Sequence, residues 1–464
     1  MIRIDRVRQP KDLVADIDRM FAVSAGKIRA IEAAWDPAEG APVFTVRGRY
    51  AARGWTEWTQ GFQFGSALLQ FDATGDREFL DLGRARTVER MAPHLTATGV
   101  HDHGFNNVST YGALWRLAQE GRFEPAPAEM QTYRLAIAVS GAVQVGRWTP
   151  TPGGGFIHSF NGPHSLFVDT IRTLRAPGLA WILGHRLLAE QDREIDLLDR
   201  LVRHAATTAE FSVYYGHGRD IYDVRGRVAH ESLFNPTNGS YRGPSTQQGY
   251  SPFTTWARGL AWAMLGFAEL LEFLARVPDE ALDVHAGRAS VEQFMTEAAR
   301  ATADYYLDEA AAADGVPYWD TGAPGLAALV DWKARVADPF NPHEPVDSSA
   351  AAIAAQGLVR LGHWLERRGA DDAARYTQAG LRTLATLVDP GGPYLDAGSA
   401  HQGLLLHAVY HRPNGWDARP HDAPTPRGEA TLWGDYHLRE AALLVKRLAE
   451  NGPHLAFFGP EGAP

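Results

Sequence analysis

The chain has no cysteine. That excludes disulfides, a thiolate nucleophile and a cysteine-ligated metal site. No run of apolar residues is long enough to span a membrane. The first residues, Met1-Ile-Arg-Ile-Asp-Arg-Val-Arg8, mix charges and lack the apolar core of a signal peptide. A cytoplasmic location is expected, or a periplasmic one had a signal peptide been removed. A Gly-x-Ser-x-Gly elbow is missing, so a hydrolytic serine triad has no support, and so is a Gly-rich phosphate loop. Positive charge is in deficit too. Lys and Arg number 45 against 55 Asp and Glu, a formal net charge of -10. That argues against nucleic acid or an anionic membrane as partner. It leaves room for an anionic small substrate, because one local arginine overrides the global field.

Aromatic residues are plentiful, at 10 % with 13 Trp. They suit a protein that stacks flat rings such as sugars, although core packing also uses them. A chain of 464 residues would usually hold more than one domain, but closed barrels run long as single units. Helical periodicity covers residues 11–35, 55–75, 77–91, 104–119, 129–146, 166–175 with a break near Pro177, and 179–206 in one or two pieces. It returns at residues 254–273, 290–307, 347–365, 371–387, 402–410 and 429–448. Residues 210–250 are rich in Gly, Tyr, His and Asn and read as a long irregular loop with a small hairpin. Counting the first helix with the last gives about six helical hairpins and few strands. The expected fold is all-α, a single (α/α)6 barrel over residues 1–464 with its site in the loops at one mouth. An α-solenoid is the alternative, but the uneven segments lack the sameness of repeats.

The chemistry gathers around Ser165-Leu-Phe-Val-Asp-Thr-Ile-Arg-Thr-Leu174. Phe167, Val168, Ile171 and Leu174 make an apolar stripe at helical spacing, with Asp169 among them. A carboxylate in such a setting is paired, protonated or used; the bland alternative is a pair with Arg172 one turn on. A second aspartate, in His101-Asp102-His103-Gly104-Phe105, also stands at a helix start. A plain N-cap would account for Asp102, and a metal reading of His-x-His has loose spacing. Together the two aspartates read as an acid/base site. Arg258 and Trp262 are four apart and share a helix face. The guanidinium suits a carboxylate and the indole a sugar ring. Asp347-Ser-Ser-Ala-Ala-Ala-Ile353 reads as a structural cap, and Trp433-Gly434-Asp435-Tyr436 as a stretch that both lines the mouth and closes the barrel.

Taken in order, Trp58-Thr-Gln-Gly-Phe62, His101-Asp102-x-Gly104-Phe105, Val168-Asp169-Thr170, Gln248-Gly249-Tyr250, Trp256-Ala-Arg258-Gly259 with Trp262, Asp347-Ser-Ser and Trp433-Gly434-Asp435-Tyr436 carry a resemblance. From about residue 54 to about 445 the chain resembles the unsaturated glucuronyl hydrolases of glycoside hydrolase family 88, with family 105 as a relative. The resemblance implies an (α/α)6 barrel and a reaction without metal or cofactor. Its substrate would be an oligosaccharide ending in the 4,5-unsaturated uronic acid left by a polysaccharide lyase. The C4=C5 vinyl ether would be hydrated, and the resulting hemiketal would open and expel the rest of the saccharide. Asp169 would protonate C4 and then take a proton from the water attacking C5. Asp102 would be the second essential carboxylate, holding the sugar and tuning Asp169. Trp58, His101, His230, Gln248, Arg258 and Trp262 match substrate-binding positions. A monomer or homodimer is expected.

The chain departs from the family pattern at His103, Gln247, Ser251-Pro-Phe253 and Arg172. Arg172 pointing into the pocket would lower the pKa of Asp169, or bind an extra anionic group such as a sulfate or a second uronate. The alternative function is a barrel glycosidase using the same two aspartates on a saturated or otherwise modified sugar. A sugar-binding barrel without chemistry is the third.

Overall fold

The structure, a computed structural model, describes residues 2–53 and 57–459. The expected start of the second helix, at residue 55, lies outside the described residues. Twelve helices build the frame among the described residues: α1 (Val14–Ala34), α2 (Gln60–Thr74), α3 (Arg77–Arg90), α4 (His103–Asn107 continuing through Val108–Gly112 to Ala113–Gln119), α5 (Pro127–Gly146), α6 (Arg175–Ile182), α7 (Leu197–Phe211), α8 (Ala257–Leu274), α9 (Gly287–Tyr305), α10 (Ser348–Glu366), α11 (Ala373–Val388) and α12 (Leu432–Ala449).

Helices α2, α4, α6, α8, α10 and α12 pack in succession and close on themselves, α12 against α2. Helices α3, α5, α7, α9, α11 and α1 pack outside them. Burial sorts the two rings. Along α8 every residue but Glu272 is buried, as expected of a helix surrounded by protein. Along α7 the buried set is one stripe, including Leu197, Leu201, Val202 and Ala205, with solvent on the other side. The result is the expected (α/α)6 barrel, with one contiguous core through both rings. No helix of the described residues is long and apolar enough to cross a membrane.

Two glycines allow the inner helices to approach at the mouth. A Cβ on Gly61 would lie 2.3 Å from the carbonyl oxygen of Asn106, and one on Gly104 would lie 2.3 Å from that of Thr173. Only hydrogen fits at either place, so α2, α4 and the turn after Asp169 meet backbone to backbone.

Two expected helices are absent. Residues 166–175 begin as a strand, β1 (Ser165–Phe167), paired antiparallel with β2 (Glu231–Phe234), which pairs in turn with β3 (Tyr241–Ser245). The stripe fits either element, and the partner strand decided it. Helix resumes for one turn at Thr170–Thr173, and α6 then carries Pro177 in its first turn rather than breaking there. The strands β2 and β3 are the small hairpin expected within residues 210–250. Residues 402–410 are irregular instead of helical, because the Asp435 carboxylate accepts the N–H groups of Leu404 and Leu405 and His407 sits at φ +65°. A further small hairpin, Leu187–Ala189 with Arg193–Ile195, separates α6 from α7.

Candidate active site

A cavity of about 260 Å³ opens at one end of the barrel, lined mostly by aromatic rings, with Asp102, Asp169, His101, Gln248 and Arg258 as its principal polar groups. The starts of four inner helices meet there: Trp58 just before α2, Asp102 before α4, Asp169 before the turn leading to α6, and Trp256 before α8. Helix N-termini favour negative charge, so their convergence suits an anionic ligand.

Asp102 and Asp169 both occupy N-cap positions, yet neither side chain makes a capping hydrogen bond. The plain-cap reading of Asp102 is thereby overturned. Both carboxylates turn instead toward His101, whose Nε2 lies 3.1 Å from Asp169 Oδ1 and 3.7 Å from Asp102 Oδ1. All three residues are buried. Burial disfavours charge on His101, but the two carboxylates outweigh it and raise its pKa. Burial pushes the Asp102 carboxyl up to about 6, with the charge of Asp169 adding to it. Burial pushes Asp169 the same way, but the hydrogen bond and charge of His101, and then His230 and Arg258, bring it below the usual carboxylate range. In the free protein the raised acid is therefore Asp102, whereas the role expected for Asp169 calls for a raised pKa there.

Arg258 forms part of the wall. It donates to the carbonyls of Val409 and Tyr410 and to Gln248 Oε1, at 2.7–2.8 Å. That uses three of its five N–H donors, and no carboxylate of the described residues lies within ion-pair distance. Its guanidinium also lies over the rings of Trp256 and Trp433. Trp262, one turn on, lines the same cavity and packs on Phe105, 4.8 Å between centroids. Trp58 is half-buried and stacks on Trp433 at 4.9 Å. His230 lies behind the wall, between Phe167 and Trp256. Its Nδ1 accepts the Gln247 N–H at 3.0 Å, which puts the proton on Nε2, a buried donor with no partner among the described residues. Burial lowers its pKa to about 4, so it is neutral.

Arg172 does not reach the cavity. It is fully buried and pairs with Glu269 and Glu440, each at 2.8 Å. Glu269 lies eleven residues beyond Arg258 on α8, about 16 Å farther down the barrel. The arginine runs toward those two carboxylates because a buried guanidinium needs counter-charge. A substrate-binding role for it is corrected accordingly. His103 is also buried away from the cavity, between Ser140 Oγ and the carbonyl of Ala97. Asp347 is a structural cap, as expected, accepting from the N–H groups of Ser349 and Ala350.

A model of Glycosyl Hydrolase Family 88 matches residues 43–309, more than half of the chain. The chain belongs to that family. This family 88 member is 27 % identical over 427 residues to the unsaturated glucuronyl hydrolase of Bacillus sp. (strain GL1), covering 86 % of this chain and 89 % of the relative. It is 22 % identical over 414 residues to the unsaturated chondroitin disaccharide hydrolase of Streptococcus pyogenes serotype M1, covering 86 % and 84 %. The crystal structure of the Bacillus sp. GL1 enzyme superimposes with a TM-score of 0.70 at 22 % identity, over 97 % of this chain and 99 % of that one. An unsaturated glucuronyl hydrolase specific for heparin gives 0.71 at 17 % identity, over 94 % and 98 %. These superpositions establish the barrel.

Phe160, Tyr410 and His411 also line the cavity, and no motif in the sequence marks them. Phe160 stands in the loop before β1 and is 40 % exposed, unusual for a phenylalanine beside buried polar groups. No periodicity marks any of the three, so only the fold brings them to the site.

Proposed function

We propose that this family 88 member releases a terminal 4,5-unsaturated uronic acid from lyase-generated oligosaccharides by hydrating the C4=C5 vinyl ether. One observation carries the reading: two aspartates at helix N-caps leave capping undone and share one histidine, in an aromatic cavity that also holds an arginine with no carboxylate partner among the described residues. The cavity is small for a ligand site, which favours entry of one end of a saccharide. Trp58 and Trp262 offer ring faces to the sugar, and Arg258 offers its remaining N–H donors to the uronate carboxylate.

The proton for C4 is held in the Asp102–His101–Asp169 unit, which titrates as a whole. In the free protein His101 donates to an ionised Asp169. A bound uronate adds negative charge and offsets Arg258, one of the cations that hold Asp169 ionised, so its arrival raises the pKa of Asp169 and draws the His101 proton onto it. Asp169 delivers that proton to C4, and C5 becomes an oxocarbenium centre stabilised by the ring oxygen. Water adds to C5 and gives its proton back to Asp169. The product is a hemiketal at C5. Its ring opens, and the hemiacetal left at C1 expels the rest of the saccharide. His230, neutral and behind the wall, holds the loop that carries Gln247 and Gln248 through its Nδ1.

Turnover in D2O tests this chemistry. Deuterium should appear at C4 of the released sugar, with the C5 oxygen drawn from solvent when H2(18)O is used. Release with the 18O at C1 instead, or cleavage of a saturated glycoside at a similar rate, would replace hydration by ordinary glycosidic attack.

A further inference from the structure

Arg147 follows directly on α5, an outer-ring helix, and no substrate-binding motif includes it. It is 9 % exposed. Its guanidinium pairs with no carboxylate of the described residues and donates to three backbone carbonyls: that of Thr98, that of His158 at 3.1 Å from Nε and that of Ser159 at 2.6 Å. Thr98 belongs to the loop that delivers Gly99, Val100, His101 and Asp102 to the cavity, and His158 and Ser159 to the loop that delivers Phe160. The backbone adds a fourth tie, His158 N–H to the Arg147 carbonyl at 2.9 Å. One turn earlier, Gln144 donates to the His101 carbonyl at 3.1 Å and to Thr173 Oγ1, beyond Asp169. A buried cation answered only by carbonyl dipoles is costly unless nearby anions compensate. The nearest anionic unit is the one it supports.

We propose that Arg147 is a positioning residue for the His101–Asp102–Asp169 unit, its guanidinium fastening the two mouth loops together and supplying the positive charge that faces Asp102. The proposal rests on the reading of that unit as the reacting group. The titratable groups within its field are His101, Asp102, His103 and His158. Its charge opposes protonation of each, so its removal shifts their titrations to higher pH. Asp169 enters through its contact with His101.

The test compares wild type, Arg147→Lys and Arg147→Met on an unsaturated disaccharide across pH, with melting temperatures alongside. In Arg147→Met kcat should fall about 10- to 100-fold with KM little changed, since a small displacement of a reacting group costs that much. The acid limb of kcat/KM should also move to higher pH. Arg147→Lys keeps the charge but cannot span three carbonyls, so the limb should return toward its wild-type position while kcat stays reduced. Loss of activity that only follows the folded fraction, with the limb unmoved in both variants, would overturn the proposal. So would wild-type kinetics in Arg147→Met. The titration of His101, followed by NMR in 15N-histidine-labelled protein and assigned with His101→Gln, does not depend on turnover. If wild type hydrates no unsaturated disaccharide, the functional reading fails. An upward shift of His101 in Arg147→Met still upholds the positioning role, and an unshifted His101 refutes it.

Discussion

The barrel contains two buried clusters of acids and bases, and they are built on opposite principles. Deep in the barrel, Arg172, Arg175 and Arg360 face Glu269, Glu272 and Glu440, three arginines for three glutamates, with separations from 2.6 to 3.9 Å. At the mouth, Asp102 and Asp169 share a single imidazole, and the nearby arginines, Arg147 and Arg258, are engaged by carbonyls rather than by carboxylates. In the deep cluster every arginine faces a carboxylate; burial pushes Glu269 up to about 8, and Glu272, the one member that lines a separate cavity, is held by both Arg360 and His454. The mouth cluster leaves one proton for two carboxylates and one arginine open to an incoming anion. Buried charge alone therefore does not mark a reactive site; incomplete compensation next to an accessible cavity does.

The sharpest way to break the comparison is to remove one carboxylate from the mouth. Asp169→Asn should lower hydration of an unsaturated disaccharide by about 10²- to 10⁴-fold while circular dichroism and melting temperature stay near wild type. Unreduced turnover would deny Asp169 its role. The matching change in the deep cluster should do the reverse. Arg172→Met leaves Glu269 and Glu440 short of counter-charge and should destabilise the fold by about 3–5 kcal/mol, read from denaturant unfolding, with the pH–rate profile unmoved. A selective loss of affinity for sulfated substrates without destabilisation would return Arg172 to the site.

Stability against pH sharpens the contrast further. The Asp102 carboxyl stands at about 6 in the folded chain against an ordinary 3.8. A raised acid favours the fold while protonated, so that contribution is lost as pH rises through the interval up to about 6. At neutral pH the ionised group costs roughly 3 kcal/mol. Asp102→Asn should therefore be more stable than wild type above that interval and show little gain below it, measured by thermal melts at both ends, even as activity falls. The smallest effect is expected at the anion-facing wall. Arg258→Lys keeps the charge but loses the fork that holds Gln248 and two carbonyls, and KM should rise about tenfold with kcat less affected.

Much of this was legible in the chain. Helical periodicity and turn signals located both rings, since each helix carries its own apolar stripe and stop. The ordered motifs located Trp58, Asp102, Asp169, Gln248, Arg258 and Trp262, all of which line one cavity. The misplacements share a cause. Residues 165–167 form a strand only because Glu231–Phe234 lies beside them, and residues 402–410 are irregular because Asp435 captures their N–H groups; both partners are distant in sequence. Arg172 stands three residues from Asp169, but spacing says nothing of where a long side chain finds its counter-charge. Phe160, His411 and Arg147 sit on loops or at a helix end, where no period points to a partner.

The measurement that bears most directly on the central claim is the ultraviolet absorbance of the unsaturated uronate, followed while the protein acts on lyase-generated disaccharides from hyaluronan, chondroitin, heparin, ulvan, pectin and gellan. The account requires the absorbance to decay on at least one of them with wild type and to persist with Asp169→Asn. Constant absorbance on all of them with a folded wild-type protein, alongside turnover of a saturated glycoside, would contradict it.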